Sequence, residues 1–351
     1  MSTSDSSGDQ TGLPSNGRWR LLSLPPLPAE AIGGLLGDLP IDVVAPPITS
    51  RQDLRDAIAD VDLVLGDWRV AQPGLDADAV RAARRLAFVQ QPSVGVQAHD
   101  AAALAEAGVP LSNVAGFNAT SVAEWVVGAL LALARVMPWS QDELRAGRWP
   151  QTEVVQRGAV EIAGRRVGIV GFGAIAQATA ARLAAFGCPV SYWSRRRRPP
   201  EQEGTATYVG DLGELIEGSE VLVNAVALTA ETRGLLGRDL LGRLPAGALL
   251  VNVSRGDIVD EAVVAEMIDA GRLAGAAFDV YAVEPVAPDN PLLRLPPERV
   301  LLTPHTAGST AQAIQRLLQR TVANLGRAVA GEAVEDVVNG VDPVVRRRTL
   351  R

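Results

Sequence analysis

The 351-residue sequence predicts an α/β protein built from two doubly wound parallel-sheet domains. Three observations carry that prediction. Short apolar runs alternate with helix-spaced segments from Trp19 onward. The alternation restarts as a second series at Arg166. That second series opens with a strand turning on glycines straight into a helix. The length suits two ordinary domains rather than one. Apolar residues at 47 % and charged residues at 21 % allow two packed cores and argue against global disorder.

Taken in order, MSTSDSSGDQTGLPSNG is polar and lacks the basic flank and apolar centre of a secretory signal, so residues 1–17 are expected to be a disordered tail. "RLLSL", "IDVVAP", "VDLVLGD", "LAFVQQ" and "VPLSNV" read as strands. "PAEAIGGLLGD", "RQDLRDAIAD", "LDADAVRAARR" and "HDAAALAEAG" read as the helices between them. A longer helix is expected from Thr120 to Val136, started by the capping residues Asn118 and Thr120 and closed before Pro138. The stretch over 137–163 is too irregular for a core layer. The second series has the strand candidates "RVGIVGFG", "PVSYWS", "EVLVNAV", "ALLVNVS", "AGAAFDV" and "RVLLTPH", then a helix from Thr310 to Ala330 and a basic end, "RRRTLR", expected to be solvated. The longest apolar run, "VVGALLALA" from Val126, is too short to span a bilayer, so a soluble protein with no membrane partner is expected.

The charge balance excludes whole function classes. A net charge of −7 argues against a nucleic-acid partner. All 33 basic residues are arginine; without lysine there is neither a Schiff-base amine nor a P-loop lysine. One cysteine, Cys188, and two histidines, His99 and His305, rule out an internal disulfide and make a metal centre unexpected. That cysteine usage fits the cytoplasm. His99 precedes "DAAALAEAG" and reads as a helix-start or surface residue.

In "VGIVGFGAIAQ" the turn residues Gly171 and Gly173, with Ala176 where a third glycine often stands, meet the needs of a dinucleotide pyrophosphate: a tight turn, close backbone approach and close helix packing. Gly171, Gly173, Ala174 and Ile175 are the expected contacts. The second strand then ends in "WSRRRR", where such units usually place an acidic residue for the ribose hydroxyls. Arginine suits a phosphate dianion, so Ser194, Arg195 and Arg196 point to a 2′-phosphate and hence to NADPH, with NADH the other candidate. Arg197 and Arg198 are expected to face water. The competing reading is a solvated arginine run in a surface loop.

Three later segments place chemistry at strand ends, where open α/β sheets bind ligands: "LLVNVSRGDIVDE" with Arg255, "AFDVYAVEPV" with Asp279 and Glu284, and "VLLTPHTAGST" with His305. A histidine can give a proton to a carbonyl oxygen, a neighbouring carboxylate can pair with the protonated ring and orient it, and an arginine can hold a substrate carboxylate. Together they suit reduction of a 2-keto acid.

With these segments the sequence resembles the D-isomer-specific 2-hydroxyacid dehydrogenases, a family that includes phosphoglycerate, glyoxylate/hydroxypyruvate and D-lactate dehydrogenases. The resemblance runs from about Trp19 to Val338 and includes "SNVAGFNATSVAEWVVGALLALAR" and "LTAETRGLL". It implies a Rossmann cofactor domain (118–306) inserted in a flavodoxin-like substrate domain (18–117 and 307–340), with 341–351 as a tail. It also implies catalytic or substrate roles for Arg255, Glu284 and His305, a nicotinamide-carboxamide role for Asp279, and cofactor contacts at Val226, Val253, Ser254 and Gly308. "PSVGV" resembles the family's substrate loop, whose Val94 and Gly95 N–H groups meet the substrate carboxylate. A homodimer through the 137–163 stretch is implied as well. Gln97 stands where the family commonly has Asp, and Ala227 where it usually has Pro. Glu284 speaks against formate as substrate, and the lack of lysine against phosphite. Trp68 and Arg69 are candidates for the distal end of the substrate site. The leading expectation is a reductase of a small 2-keto acid, glyoxylate or hydroxypyruvate in type. The alternatives are a dinucleotide-sensing, corepressor-like binding protein and a tailoring dehydrogenase for an unusual keto acid.

Overall fold

The computed structural model describes residues 17–68 and 72–348; the expected tail over 1–16, Arg69 and the last three residues lie outside them. The chain divides into two compact units, Met1–Phe117 with Ile314–Arg351, and Asn118–Ala313.

The first unit holds five parallel strands, β1 (Trp19–Ser23), β2 (Ile41–Val44), β3 (Leu63–Leu65), β4 (Phe88–Gln90) and β5 (Leu111–Ser112), in the order β2-β1-β3-β4-β5. This is the flavodoxin-like order. Leu21, Leu22, Leu63, Val64, Phe88 and Val89 are all fully buried, as expected of strands covered on both faces. The helices α1 (Ala29–Leu36), α2 (Arg51–Ile58), α3 (Ala77–Ala82) and α4 (Ala101–Glu106) alternate with them. Ser50 and Asp53 close α2 with a reciprocal capping box.

Two expectations fail in this unit. The basic end is not solvated throughout: Arg347 donates to the Asp62 carboxylate at 3.3 Å and to the Gly17 carbonyl at 3.0 Å, and Arg348 donates to the Ala107 carbonyl. Asp62 is fully buried and also takes Arg85 at 2.8 Å. A buried carboxylate must be compensated, and its cations come from distant parts of the sequence. His99 is neither a helix start nor a surface residue. Asp100 caps α4 instead, and His99 is 6 % exposed. Its Nδ1 accepts from the Leu75 N–H at 3.2 Å, so Nε2 carries the proton given to Gln91 Oε1 at 2.8 Å.

The second unit begins with α5 (Ala119–Ala134), α6 (Met137–Arg145) and α7 (Glu153–Gln156). Neither Asn118 nor Thr120 caps α5, which starts without a side-chain cap. The Asn118 amide instead lies against Gly308, where an added Cβ would sit 2.7 Å from its Nδ2. The irregular stretch is thus partly helical, yet α6 and α7 bury no residue. No single helix among the described residues is long and apolar enough to cross a membrane.

Seven parallel strands follow: β6 (Val167–Val170), β7 (Val190–Trp193), β8 (Thr207–Tyr208), β9 (Val221–Asn224), β10 (Ala248–Asn252), β11 (Leu273–Phe278) and β12 (Val300–Leu302). Between them lie α8 (Ala174–Ala185), α9 (Pro200–Glu203), α10 (Leu212–Glu217), α11 (Arg238–Leu241) and α12 (Glu261–Asp269). The order β12-β11-β10-β9-β6-β7-β8 is the dinucleotide-binding order, with the switch point between β6 and β9. The last helix, α13 (Ala311–Ala330), crosses the unit boundary, and its Leu325 and Ala328 join the Trp19, Leu21 and Phe88 core of the first unit. That boundary falls at Ile314, not at residue 307. The intervening residues are held in the second unit by Asp279, which binds the Thr306 and Ala307 N–H groups, and by the bond of Thr310 with Ser121.

Burial lowers the His99 pKa to about 4, so the unfolded chain takes up a proton near pH 6.5 that the folded chain refuses. The stability contributed is complete above pH 6.5 and is lost as pH falls toward 4, by up to about 3 kcal/mol. Denaturant unfolding between pH 7 and 5 should therefore be steeper in pH for wild type than for His99→Gln. Equal slopes would show that His99 titrates normally.

Candidate active site

The sequence-predicted residues at strand ends gather in the second unit at the carboxyl side of its sheet. A cleft of about 570 Å³ is lined by Gly171–Gly173, Ser194–Arg196, Arg198 and Ala225–Ala227. Gly171 has φ +87°, and a Cβ there would lie 2.6 Å from the Val226 Cα, so only glycine allows β6 to turn beside β9. At Gly173, the residue before α8, an added Cβ would meet nothing within 4 Å. That open space faces the start of a 12-residue helix, whose first-turn N–H groups, from Ala174 and Ile175 onward, lack intrahelical partners and favour an anion. The cradle therefore fits a dinucleotide pyrophosphate. Val226 and Ser254 are joined directly, the Ser254 hydroxyl donating to the Val226 carbonyl, and the Val253 N–H donates to the Asn224 carbonyl at 3.3 Å.

The four arginines are not equivalent. Arg197 makes two bonds to Glu203, at 2.8 and 3.0 Å, and the buried Tyr192 hydroxyl donates to the same carboxylate at 2.7 Å. These bonds hold Glu203 down to about 2, so it is ionised. Arg198, expected in water, donates through Nε to the Phe172 carbonyl within the glycine turn, at 2.9 Å. The Ser194 hydroxyl donates to the Arg196 carbonyl at 2.6 Å. Arg195 and Arg196 are exposed and make no ion pair or side-chain hydrogen bond among the described residues. Sequence reading missed the Glu203 brace; its only signal was a carboxylate in "PPEQEG" just past the basic run.

Arg255, Glu284 and His305 come together. His305 Nδ1 lies 2.8 Å from Glu284 Oε2, and Glu284 Oε1 accepts the Tyr281 N–H at 2.9 Å. Burial pushes the Glu284 carboxyl up, but the His305 bond, the Tyr281 N–H and the charges of His305 and Arg255 outweigh it and hold the group below its ordinary value. Burial pushes Arg255 down, and the Glu284 charge opposes that shift. Gly256 makes this meeting possible: a Cβ there would be 1.8 Å from the Tyr281 carbonyl carbon. His305 has φ +56°, a left-handed conformation uncommon for histidine and typical of functional sites. Its N–H donates to the Asp279 carbonyl at 2.7 Å.

Asp279 is 2 % exposed. Its carboxylate accepts the Thr303 hydroxyl at 2.5 Å and the Thr306 and Ala307 N–H groups at 2.7 and 2.9 Å. Burial raises its pKa and those three bonds oppose the rise. The geometry makes it the anchor of the His305 segment; a carboxamide would find only one acceptor position left, on Oδ2.

Val94 and Gly95 belong to the first unit, in the loop after β4. Three successive carbonyls are occupied there. Ser93 accepts the Val114 N–H at 3.0 Å, Val94 accepts Asn113 Nδ2 at 2.7 Å, and Gly95 accepts the Ser93 hydroxyl at 2.7 Å. The Val94 and Gly95 N–H groups make no hydrogen bond among the described residues. Trp68 is half-buried and Gln97 exposed. Among the described residues no three His, Cys, Asp or Glu side chains could hold a metal ion.

A dinucleotide cradle joined to a histidine–carboxylate pair and a half-buried arginine defines a nicotinamide-dependent oxidoreductase. The chain belongs to the D-isomer specific 2-hydroxyacid dehydrogenase family, whose NAD binding domain matches residues 127–307. A glyoxylate reductase of Korarchaeum cryptofilum is 32 % identical over 84 % of this chain and 87 % of that protein. A D-3-phosphoglycerate dehydrogenase of Archaeoglobus fulgidus is 34 % identical over 77 % of this chain. The match spans about half of that longer relative, 48 % of its length. A crystal structure of a Pyrococcus horikoshii protein, 30 % identical, superposes with a TM-score of 0.77 over 92 % of this chain and 96 % of that one. The holo form of Rhodotorula graminis D-mandelate dehydrogenase, at 21 % identity, shares the fold with a TM-score of 0.81 over 92 % of this chain and 98 % of that one.

Asp279→Asn tests the anchor. An amide has one acceptor oxygen and must turn its NH2 toward a backbone N–H, leaving a buried donor unsatisfied. A loss of about 1.5–3 kcal/mol in unfolding free energy is expected, with a fall in kcat of at least about tenfold as His305 shifts. Wild-type stability and turnover together would refute this role.

Proposed function

We propose that the protein reduces a small 2-keto acid, glyoxylate or hydroxypyruvate in type, to the 2-hydroxy acid, with NADPH favoured over NADH. The observation that carries the reading is the Arg255–Glu284–His305 group beside the glycine-turn cleft. Bound NADPH supplies the reducing equivalent. His305 donates the proton: with Nδ1 held by Glu284, Nε2 is the nitrogen free to serve the carbonyl oxygen. Glu284 fixes the ring and offsets its charge. Arg255 holds the substrate carboxylate and polarises the carbonyl. We assign the Val94 and Gly95 N–H groups to binding of a substrate carboxylate, Asp279 to the carboxamide end of the cofactor, and Val226, Val253, Ser254 and Gly308 to the walls around it. Relatives named glyoxylate reductase and, in Arabidopsis thaliana, glyoxylate/hydroxypyruvate reductase support the substrate class.

The cofactor preference rests on Arg195 and Arg196. Glu203 neutralises Arg197, and Arg198 is committed to the turn, which leaves Arg195 and Arg196 lining the cleft without an ion pair or side-chain hydrogen bond among the described residues, where a 2′-phosphate would lie. We further propose a cytoplasmic homodimer. Trp149, Val155 and Leu144, on or beside helices that bury nothing, are 77 %, 72 % and 57 % exposed, which suits an interface.

Turnover of a 2-keto acid panel with each cofactor, followed by nicotinamide absorbance, tests the whole reading. Binding of dinucleotide with no turnover of any keto acid would instead indicate a sensor. In an active enzyme, His305→Ala should lower kcat by about 10²–10⁴-fold with cofactor binding intact; near-normal turnover would remove His305 from the chemistry.

Removing either Arg195 or Arg196 deletes a charge-assisted contact worth about 1.5–3 kcal/mol. Arg195→Ala and Arg196→Ala should each raise the KM for NADPH by about 10- to 150-fold and leave the KM for NADH nearly unchanged. Equal losses for both cofactors, or a wild type that prefers NADH, would make the run a surface loop.

A further inference from the structure

His99 and Gln91 take no part in the chemistry, yet both are buried, at 6 % and 1 % exposure, and joined in one line of hydrogen bonds. The line starts at the Leu75 N–H, which donates to His99 Nδ1. His99 Nε2 donates to Gln91 Oε1, and this fixes the amide so that Gln91 Nε2 points the other way. That nitrogen donates to the Ser93 hydroxyl at 2.9 Å and to the Asp67 carbonyl at 3.1 Å. The Ser93 hydroxyl, its acceptor lone pair used, donates to the Gly95 carbonyl at 2.7 Å. Every donated hydrogen has one acceptor, and the direction is set from the Leu75 end.

Space is reserved for the line. At Gly66 an added Cβ would lie 1.9 Å from Gln91 Oε1 and 3.0 Å from His99 Nε2. Glycine at 66 is thus what allows the His99–Gln91 bond to occupy the end of β3. The last link holds the Gly95 carbonyl inward, while Asn113 does the same for the Val94 carbonyl. Each carbonyl shares a rigid plane with the next residue's N–H, so Asn113 fixes the Gly95 N–H directly, and the Ser93 hydroxyl, by reaching the Gly95 carbonyl, closes a ring through the two peptide units that carry the Val94 and Gly95 N–H groups.

We propose that Ser93, Gln91 and His99 are positioning residues for the substrate carboxylate: they orient the peptide units of the Ser93–Val96 loop so that the Val94 and Gly95 N–H groups stay open to it. The inference rests on the reading above that this loop receives the carboxylate. It gives a buried histidine that never meets substrate a measurable part in substrate affinity.

The test is steady-state kinetics on Ser93→Ala, which deletes one half-buried oxygen, with Ser93→Thr as the conservative rescue. The KM for the best 2-keto acid should rise about 5- to 20-fold in Ser93→Ala. Its kcat and the cofactor KM should stay within about twofold of wild type, and Ser93→Thr should return the substrate KM to near normal. Gln91→Met should reproduce the KM rise if its melting curve shows a folded chain. A wild-type substrate KM in Ser93→Ala, or a parallel rise in the cofactor KM, overturns the positioning role. Val94→Pro separates the two readings, because it removes one of the N–H groups outright. If a folded Val94→Pro binds substrate normally, the loop does not hold the carboxylate. If it weakens substrate while Ser93→Ala does not, the loop reading stands and the line of hydrogen bonds is structural only.

Discussion

The buried carboxylate of Asp279 is the constraint on which the site depends. It ends β11 inside the second unit, where an unpaired charge would be costly, and it is satisfied almost entirely by the segment after β12: one hydroxyl and two backbone N–H groups. Its own carbonyl takes the His305 N–H. Four bonds from one residue therefore dictate the path of Thr303–Ala307 and hold the histidine in a backbone conformation it would otherwise avoid. The Tyr281 hydroxyl adds a strut, donating to the Phe278 and Thr303 carbonyls at 3.3 and 3.2 Å. On the other side the Tyr281–Ala282 peptide lies flat on Gly256 and so brings Arg255 to the glutamate. The residues proposed for proton transfer and for the carboxylate are thus referenced to one strand end, which is how a loop can hold geometry to the fraction of an ångström that catalysis requires.

The arginine run shows how a surface charge cluster is turned into a site. Four adjacent guanidinium groups repel one another, and left alone they would spread into solvent. Glu203 and Tyr192 take up Arg197, the glycine turn takes up Arg198, and Ser194 secures the backbone between them. What remains facing the cleft is a smaller positive charge than the sequence suggests, and the same Arg198 contact ties the arginine loop to the glycine turn.

Much of this was legible in the sequence because its signals are local. The glycine turn, the strand-end positions of Arg255, Glu284 and His305, and the long apolar runs of β6, β9 and β10 each occupy a few consecutive residues. β8 has only two strand residues, too few for any periodicity to register. The misreadings share one cause, a partner far along the chain. Arg347 reads as a tail residue until Asp62, 285 positions earlier, is placed beside it. His99 reads as a helix start because its neighbours are helical, whereas its environment is made by Leu75 and Gln91. Residue type and spacing give chemistry and order; they do not give which polar group satisfies which.

The lysine-free composition acquires a meaning once the site is assembled. Guanidinium groups keep their protons throughout the range in which enzymes work, so the cationic lining of the cleft and the Arg255 anchor form a fixed electrostatic background. The buried tyrosines add nothing variable: burial drives Tyr281 up to about 12 and raises Tyr192 as well. The cationic lining of the cleft therefore keeps its charge on the alkaline side, where the amines of lysine-bearing proteins lose theirs.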